Sequence, residues 1–381
     1  MTGTPPPVDD APDVVCLGES MVTFLPDRAG RLADVPSFTR AIGGAESNVA
    51  CALAAAGHRA KWVGRVGRDG FGDHLVEAIG AYGVDVSAVR RDPHRPTGVY
   101  FRTATDRASD AHEVVYYRAG SAASAMSPQT VPYAGVADGR ILHLSGITAA
   151  LSAPCLALVR ALTAPRAGRP LVSFDVNFRP GLWGDEAGEG GRVLLELARG
   201  ADLVFVGADE AEAAWGVGEP EGIRALLPEP AVLVVKRGGE GAVLFERRAD
   251  AGPAGPADSA GPADSADSAD SAGPADSAGP AALVDLVAHV PAPRVDVVAP
   301  VGAGDAFAAG FLSGTLRGLG AVARLRHGHL AAAAALTVPG DLAAPPRRAR
   351  ADRLAGLDDA AWGRLHLGPG WTGDDQEVRT P

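Results

Sequence analysis

Apolar residues in this chain follow two rhythms that alternate along most of its length. Short runs dense in Val, Leu, Ile and Phe recur at Asp13 to Leu17, Lys61 to Gly67, Arg140 to Leu144, Leu171 to Phe174, Asp202 to Val206 and Val232 to Val235. Runs of this length, ended by Gly, Asp or Ser, read as strands. Met21 to Pro26 reads as a further early strand, and Val295 to Val298 as a late one. Longer stretches with helical spacing lie between them. One runs from the paired glycines Gly43-Gly44 to about Ala56, with Gly57 as its stop, and another from about Asp73 to Tyr82. Val322 to Leu336 is a third, ended by Val338-Pro339-Gly340-Asp341, and Asp352 to Leu365 a last one. Strand and helix in turn predict an α/β domain with a mostly parallel sheet.

Two regions break this order. Thr97 to Thr103 and Glu113 to Arg118 alternate apolar and polar positions around a polar loop with Asp106, Ser109 and Asp110, which predicts a β-hairpin outside the main sheet. Its Tyr100, Tyr116, Tyr117 and Arg118 fit either a lid over a site or a cross-strand cluster that only stabilises the hairpin. Residues 249–282 repeat Ala-Asp-Ser and Ala-Gly-Pro units without an aromatic, a β-branched residue, a Lys or an Arg. Such a segment has nothing with which to build a core and is expected to be disordered. The strand-like flanks, Ala242 to Glu246 and Ala282 to Val290, make it a swollen hairpin loop. With disordered tails expected at 1–12 and 366–381, one domain over 13–365 remains.

Composition narrows the classes. The chain has 381 residues, 46% of them hydrophobic, and a formal net charge of -11, which supports a large core and speaks against nucleic acid as a partner. The short cluster Arg347-Arg348-Ala349-Arg350 is placed on a solvated surface. No apolar run is long enough to cross a membrane, and the first twelve residues lack the marks of a signal peptide. Cys16, Cys51 and Cys155 are odd in number and set in apolar runs, which reads as buried thiols in a reducing cytoplasm.

The chemistry concentrates at Gly302-Ala303-Gly304-Asp305, where a strand-like run opens into a helix whose Phe307, Phe311, Leu312 and Leu316 share one face. The first N–H groups of a helix lack internal partners and carry the positive end of its dipole, so they bind anions. A carboxylate inside such a site fits phosphoryl transfer, with the N–H groups holding the moving charge and Asp305 taking a proton. A capping Asp after a glycine turn is the other reading. Gly43-Gly44-Ala45-Glu46-Ser47-Asn48 is a second glycine turn into a helix; Glu46 and Asn48 suit sugar hydroxyls, or the motif is a plain turn. His327 and His329, two apart on a helix, point to different faces and do not make a metal pair. No P-loop, nucleophile elbow or zinc motif is present, so the phosphate grip falls to the Gly302 loop.

The two glycine motifs, in this order, resemble the two signatures of the ribokinase-like (phosphofructokinase B type) sugar kinases, over about Asp13 to Asp341. Within that family the chain is most similar to 2-keto-3-deoxygluconate kinases, through Gly18-Glu19-Ser20-Met21-Val22, Pro96-Thr97-Gly98-Val99-Tyr100, Tyr116-Tyr117-Arg118-Ala119-Gly120 and Asp175-Val176-Asn177-Phe178-Arg179-Pro180. The resemblance implies a Rossmann-type three-layer sandwich with a small β lid, from about 22–40 and 97–119, through which copies pair. It implies ATP, Mg²⁺ and a small sugar acid as ligands. Asp305 would be the general base, and Gly302, Ala303 and Gly304 the anion hole. Gly43, Gly44, Asn48, Tyr100, Tyr116, Arg118 and Arg179 would hold the sugar acid. Lys236, Gly238, Gly241 and His329 would lie on the nucleotide side, and Glu210 would act on Mg²⁺ through water. The Asn that precedes that Glu in the family falls on Gly207. Ala299 stands where the family usually has an Asp that helps hold a monovalent cation, which leaves K⁺ open.

Overall fold

A computed structural model of the chain describes residues 11–28, 30–103, 114–184, 187–249 and 283–373. Its main sheet has eight strands, in the spatial order Leu283–Val290, Ala242–Ala249, Val232–Lys236, Leu203–Gly207, Leu171–Asp175, Ile141–Ser145, Val14–Leu17 and Ala60–Val63. The six strands from Val232–Lys236 to Ala60–Val63 run parallel, and the other two turn back antiparallel at one edge.

Side chains of successive strand residues point to opposite faces, and that alternation builds three layers. Val14, Cys16, Leu203, Phe205 and Val234 join the core beneath the helices Ala45–Ala55, Ala303–Leu316 and Ala321–Leu336. Val15, Leu17, Val204, Val206, Leu233 and Val235 join a second core beneath Ala153–Thr163 and Ala187–Arg199. Both faces are covered, so central strands read as unbroken apolar runs.

A four-stranded sheet stands apart, in the order Phe38–Gly43, Met21–Pro26, Val99–Arg102, Val114–Tyr117. Val99–Arg102 and Val114–Tyr117 pair antiparallel, as the alternating pattern predicts; the polar loop with Asp106, Ser109 and Asp110 lies outside the described residues. The flanks of the low-complexity repeat pair from Ala242↔Val290 to Ala249↔Leu283; residues 250–282 also lie outside.

Several expectations need correction. Lys61 to Gly67 is two strands, Ala60–Val63 and Arg65–Gly67, parted at Gly64, where a Cβ would come 2.6 Å from the Trp62 ring. The second helix starts earlier, at Gly70, because Asp69 caps it by accepting from the Gly72 N–H at 2.8 Å. Val295 to Val298 is not one strand: Arg294–Val295 pairs with His366–Leu367, and the Val298 N–H instead donates to the Leu336 carbonyl at 2.7 Å. Asp352 to Leu365 is two helices, Arg348–Ala355 and Asp359–Gly363, because Asp358 caps a new start. The C-terminal tail is ordered as far as it is described: Leu367 and Trp371 are buried in the core with Trp362. Residues 1–10 and 374–381 lie outside the description. The arginine cluster is not simply solvated. Arg350 is buried and donates to the Gly373 carbonyl, and Arg348 donates to the Ala56 carbonyl at 3.1 Å. Cys16, Cys51 and Cys155 are buried free thiols.

Candidate active site

The C-terminal ends of the parallel strands, the lid sheet and the Gly302 loop enclose a cavity of about 290 Å³. Crevices at strand ends are where open α/β sheets bind ligands. Gly302 takes φ +76°, in the left-handed region, and a Cβ there would run into the Asp341 carbonyl. Glycine is therefore required on two counts. The turn delivers Asp305 into the first turn of the helix Ala303–Leu316. Asn48, from the first turn of the helix Ala45–Ala55, donates to Asp305 Oδ2 at 2.9 Å. The two glycine motifs, far apart in sequence, thus meet through one hydrogen bond. Burial raises the Asp305 pKa to about 7; the Asn48 hydrogen bond opposes the rise, Asp175 and Asp341 add to it, and Lys236 opposes it. A carboxylate so poised is ionised near neutral pH yet basic enough to take a proton.

Of the residues expected around the sugar, Gly44, Asn48, Tyr100, Tyr116, Arg118 and Arg179 line this cavity. Gly43 does not; a Cβ there would collide with the Tyr100 hydroxyl, so this glycine makes room for a lining residue. Glu46 also faces elsewhere. It is fully buried beside Gly18, where its Oε1 accepts from the hydroxyls of Ser145 and Thr148, each at 2.7 Å, and burial raises its pKa.

The cations arrive already paired. Arg118 forms an ion pair with Glu19, which also accepts from the Ser121 hydroxyl at 2.5 Å. Arg179 meets Glu210 Oε1 at 3.0 Å. The first pair is enclosed, with side chains 10% and 1% exposed, whereas Arg179 is 52% exposed and re-points at little cost. Glu210 Oε2 also accepts from the Gly207 N–H at 3.2 Å, closing its own helix start where the family's Asn would have stood.

Lys236, Gly238, Gly241 and His329 line a second cavity of about 700 Å³, as do Ala303 and Gly304. Its walls are mostly apolar, with Phe307, Val295, Ala333 and Leu336. His329 is held by the Val290 carbonyl at 3.1 Å and kept neutral by burial, its pKa lowered to about 4. Lys236, Pro300, Ala303 and Gly304 belong to both cavities, so these meet at the Gly302–Gly304 loop.

Sequence reasoning assigned no role to several lining residues, Glu19 among them. Asp341 accepts from the Tyr100 hydroxyl at 3.1 Å and pairs with Arg102 at 3.0 Å, joining the lid to the Gly302 loop. Asp175 holds Lys236 at 2.9 Å. Asn177 is the one non-glycine residue with positive φ among the described residues, at 44°, and its Oδ1 is buried without a partner. Asp175 and Asn177 had a signal in their place at a strand end; Asp341 and Arg102 had none.

Comparison with known proteins agrees with this geometry. The profile of the pfkB family carbohydrate kinases matches residues 11–261 and 278–348, breaking only inside the low-complexity repeat. The chain belongs to that family and is a sugar kinase with the ribokinase-like fold. It is 33% identical over 341 residues to a 2-dehydro-3-deoxygluconokinase of Bacillus subtilis (strain 168), covering 88% of this chain and 93% of that one. A fructokinase-2 of Zea mays is 35% identical over 201 residues, 52% of this chain and 58% of that one. The crystal structure of a PfkB protein from Polaromonas sp. JS666 superposes with a TM-score of 0.71 at 32% identity, covering 90% of this chain and 99% of that one.

Proposed function

We propose that this kinase transfers the γ-phosphoryl group of ATP to the terminal hydroxyl of 2-keto-3-deoxygluconate (2-dehydro-3-deoxygluconate). The observation that carries the reading is the placement of Asp305, hydrogen-bonded to Asn48, beside the loop where two cavities meet. Asp305 takes the proton of the hydroxyl as its oxygen bonds to the γ-phosphorus. The bond from that phosphorus to the β–γ bridging oxygen breaks, and its electron pair leaves with ADP. N–H groups of the Gly302–Gly304 loop stabilise the charge on the group in flight. Asn48 keeps the Asp305 carboxylate aimed.

The apolar second cavity suits an adenine, with Lys236, Gly238 and Gly241 toward the phosphates. Mg²⁺ bound to those phosphates would offset their charge. Both Glu210 oxygens already accept hydrogen bonds, so Glu210 fits it through water. Ala299 is buried and brings no side-chain oxygen, so that position does not fit K⁺. Tyr116 and Tyr117, 51% and 63% exposed on the lid, support pairing of copies through it. Among the described residues no helix is long and apolar enough to cross a membrane.

The choice of a sugar acid rests on the guanidiniums and on the first relative named above. A planar guanidinium grips a carboxylate by two parallel hydrogen bonds, and the half-exposed Arg179 is free to turn to one. A neutral-sugar kinase is the second reading, supported by the Glu19 carboxylate that already occupies Arg118 and by the fructokinase similarity. ADP release with ATP and Mg²⁺ across 2-keto-3-deoxygluconate, its galacto epimer, fructose, ribose and gluconate separates them. Turnover confined to the keto-deoxy acids supports the first reading; turnover on fructose or ribose alone replaces it with the second.

A further inference from the structure

Of the residues that line both cavities, Lys236 alone carries a charge. We propose that Asp175 is a positioning residue for phosphoryl transfer, fixing the Lys236 ammonium at the junction where the phosphoryl group crosses from nucleotide to sugar. The inference rests on the kinase reading but not on the choice of sugar.

A lysine side chain is flexible, and holding it in one place costs rotamer freedom. Asp175 removes that freedom beforehand with both oxygens: Lys236 Nζ donates to Oδ2 at 2.9 Å and to Oδ1 at 3.2 Å. An ammonium has three N–H groups, so one remains for a phosphate oxygen. Asp175 is itself rigid. It ends the strand Leu171–Asp175, in register with Ser145 on one side and Phe205 on the other, and is 3% exposed. Lys236 also lies against the anion hole, its Nζ 3.7 Å from where a Gly304 Cβ would stand.

Charge points the same way. Burial works against the Lys236 ammonium, while Asp175 first, then Glu210 and Asp305, favour it, and its pKa is raised on balance. Glu210 shares its charge with Arg179. His143, on the neighbouring strand, is kept neutral by burial, with a pKa lowered to about 3, and does not compete. Asp175 is thus the chief support of the lysine's charge. Without it, only Glu210 and Asp305 oppose burial, and Lys236 gives up its proton at lower pH than in the wild type.

The test uses full-length Asp175→Asn and Asp175→Glu with the acceptor that wild type turns over fastest, so a wrong choice of sugar acid leaves it readable. Asp175→Asn is expected to lower kcat roughly 10- to 100-fold, the scale of a misplaced catalytic group, with the sugar KM within a few-fold. The alkaline limb of its kcat–pH profile is expected to move to lower pH as Lys236 loses support. Asp175→Glu keeps the charge and is expected to restore that limb while retaining part of the kcat loss. Wild-type kcat in Asp175→Asn overturns the proposal. So do equal losses in both variants with no movement of the alkaline limb, which would make Asp175 only a structural residue. Should Asp175→Asn not fold, Asp175→Glu decides alone: a reduced kcat with wild-type Tm, sugar KM and alkaline limb supports the proposal, whereas wild-type kcat, or a kcat loss accompanied by a lowered Tm and a raised sugar KM, overturns it.

Discussion

The two cavities that meet at Gly304 are built by opposite means. In the cavity proposed for the sugar, Glu19, Asp175, Glu210, Asp305 and Asp341 face Arg102, Arg118, Arg179 and Lys236, and each cation is paired with an acid of the same wall. The cavity proposed for the nucleotide is larger and mostly apolar, with a neutral histidine in its wall. A pocket of paired charges discriminates strongly, because a wrong ligand leaves buried polar groups unmatched. An apolar pocket selects by shape and tolerates small changes. Substitutions should therefore cost most at the junction, less among the sugar-side pairs, and least on the nucleotide wall.

The largest effect belongs to Asp305→Asn. Loss of the general base should lower kcat by about 10²–10⁴-fold while both KM values stay within a few-fold in steady-state assays. The same variant tests the electrostatics. The folded pKa of Asp305, about 7, lies above its ordinary value of 3.8. Its contribution to stability is thus most favourable below the unfolded value and is lost as pH rises through about 7. Asp305→Asn should then raise Tm more at pH 8.5 than at pH 5. In the wild type, kcat/KM should fall as pH drops below about 7, because the base becomes protonated.

The two arginines sharpen the sugar side. Arg118→Met leaves Glu19 buried without its cation and should destabilise the fold by about 3–5 kcal/mol, read as a large drop in Tm. Arg179→Met breaks an exposed pair and should leave Tm nearly unchanged, while raising KM for the sugar acid about 10-fold through one lost charge-assisted contact. An equal loss of Tm in both would erase the distinction between a locked and a movable cation. On the nucleotide wall, His329→Asn should change KM for ATP by no more than a few-fold in the same assay. The smallest effect is expected from deleting 251–280. The flanking strands pair along their full described length, and each halving of a loop changes closure entropy by only about 0.6 kcal/mol, so shortening this one to a few residues favours folding by about 2 kcal/mol. Loss of folding on that deletion would show that the repeat takes part in the structure.

Much of this was legible in the sequence because it depends on local rules. Apolar runs marked the core strands, and Gly302 marked the tight turn ahead of Asp305, since few other residues satisfy φ +76° beside a packed carbonyl. Local reading failed where partners are distant. Glu46 offers the same carboxylate whether it faces a sugar or, as here, the hydroxyls of Ser145 and Thr148. Trp371 looked like part of a polar tail until the fold brought Trp362 and Leu367 beside it.

The chain's own pattern therefore determined the layered α/β domain, the hairpin outside the main sheet and the glycine turn that carries Asp305, because periodicity, glycine geometry and helix ends act over a few residues. Only the tertiary structure decided which charges meet. Asn48 reaches Asp305, Tyr100 and Arg102 reach Asp341, and Glu19 claims Arg118, each across a long stretch of sequence. Coulomb and hydrogen-bond energies depend on separation in space and on burial, and neither is written in the order of residues along a chain.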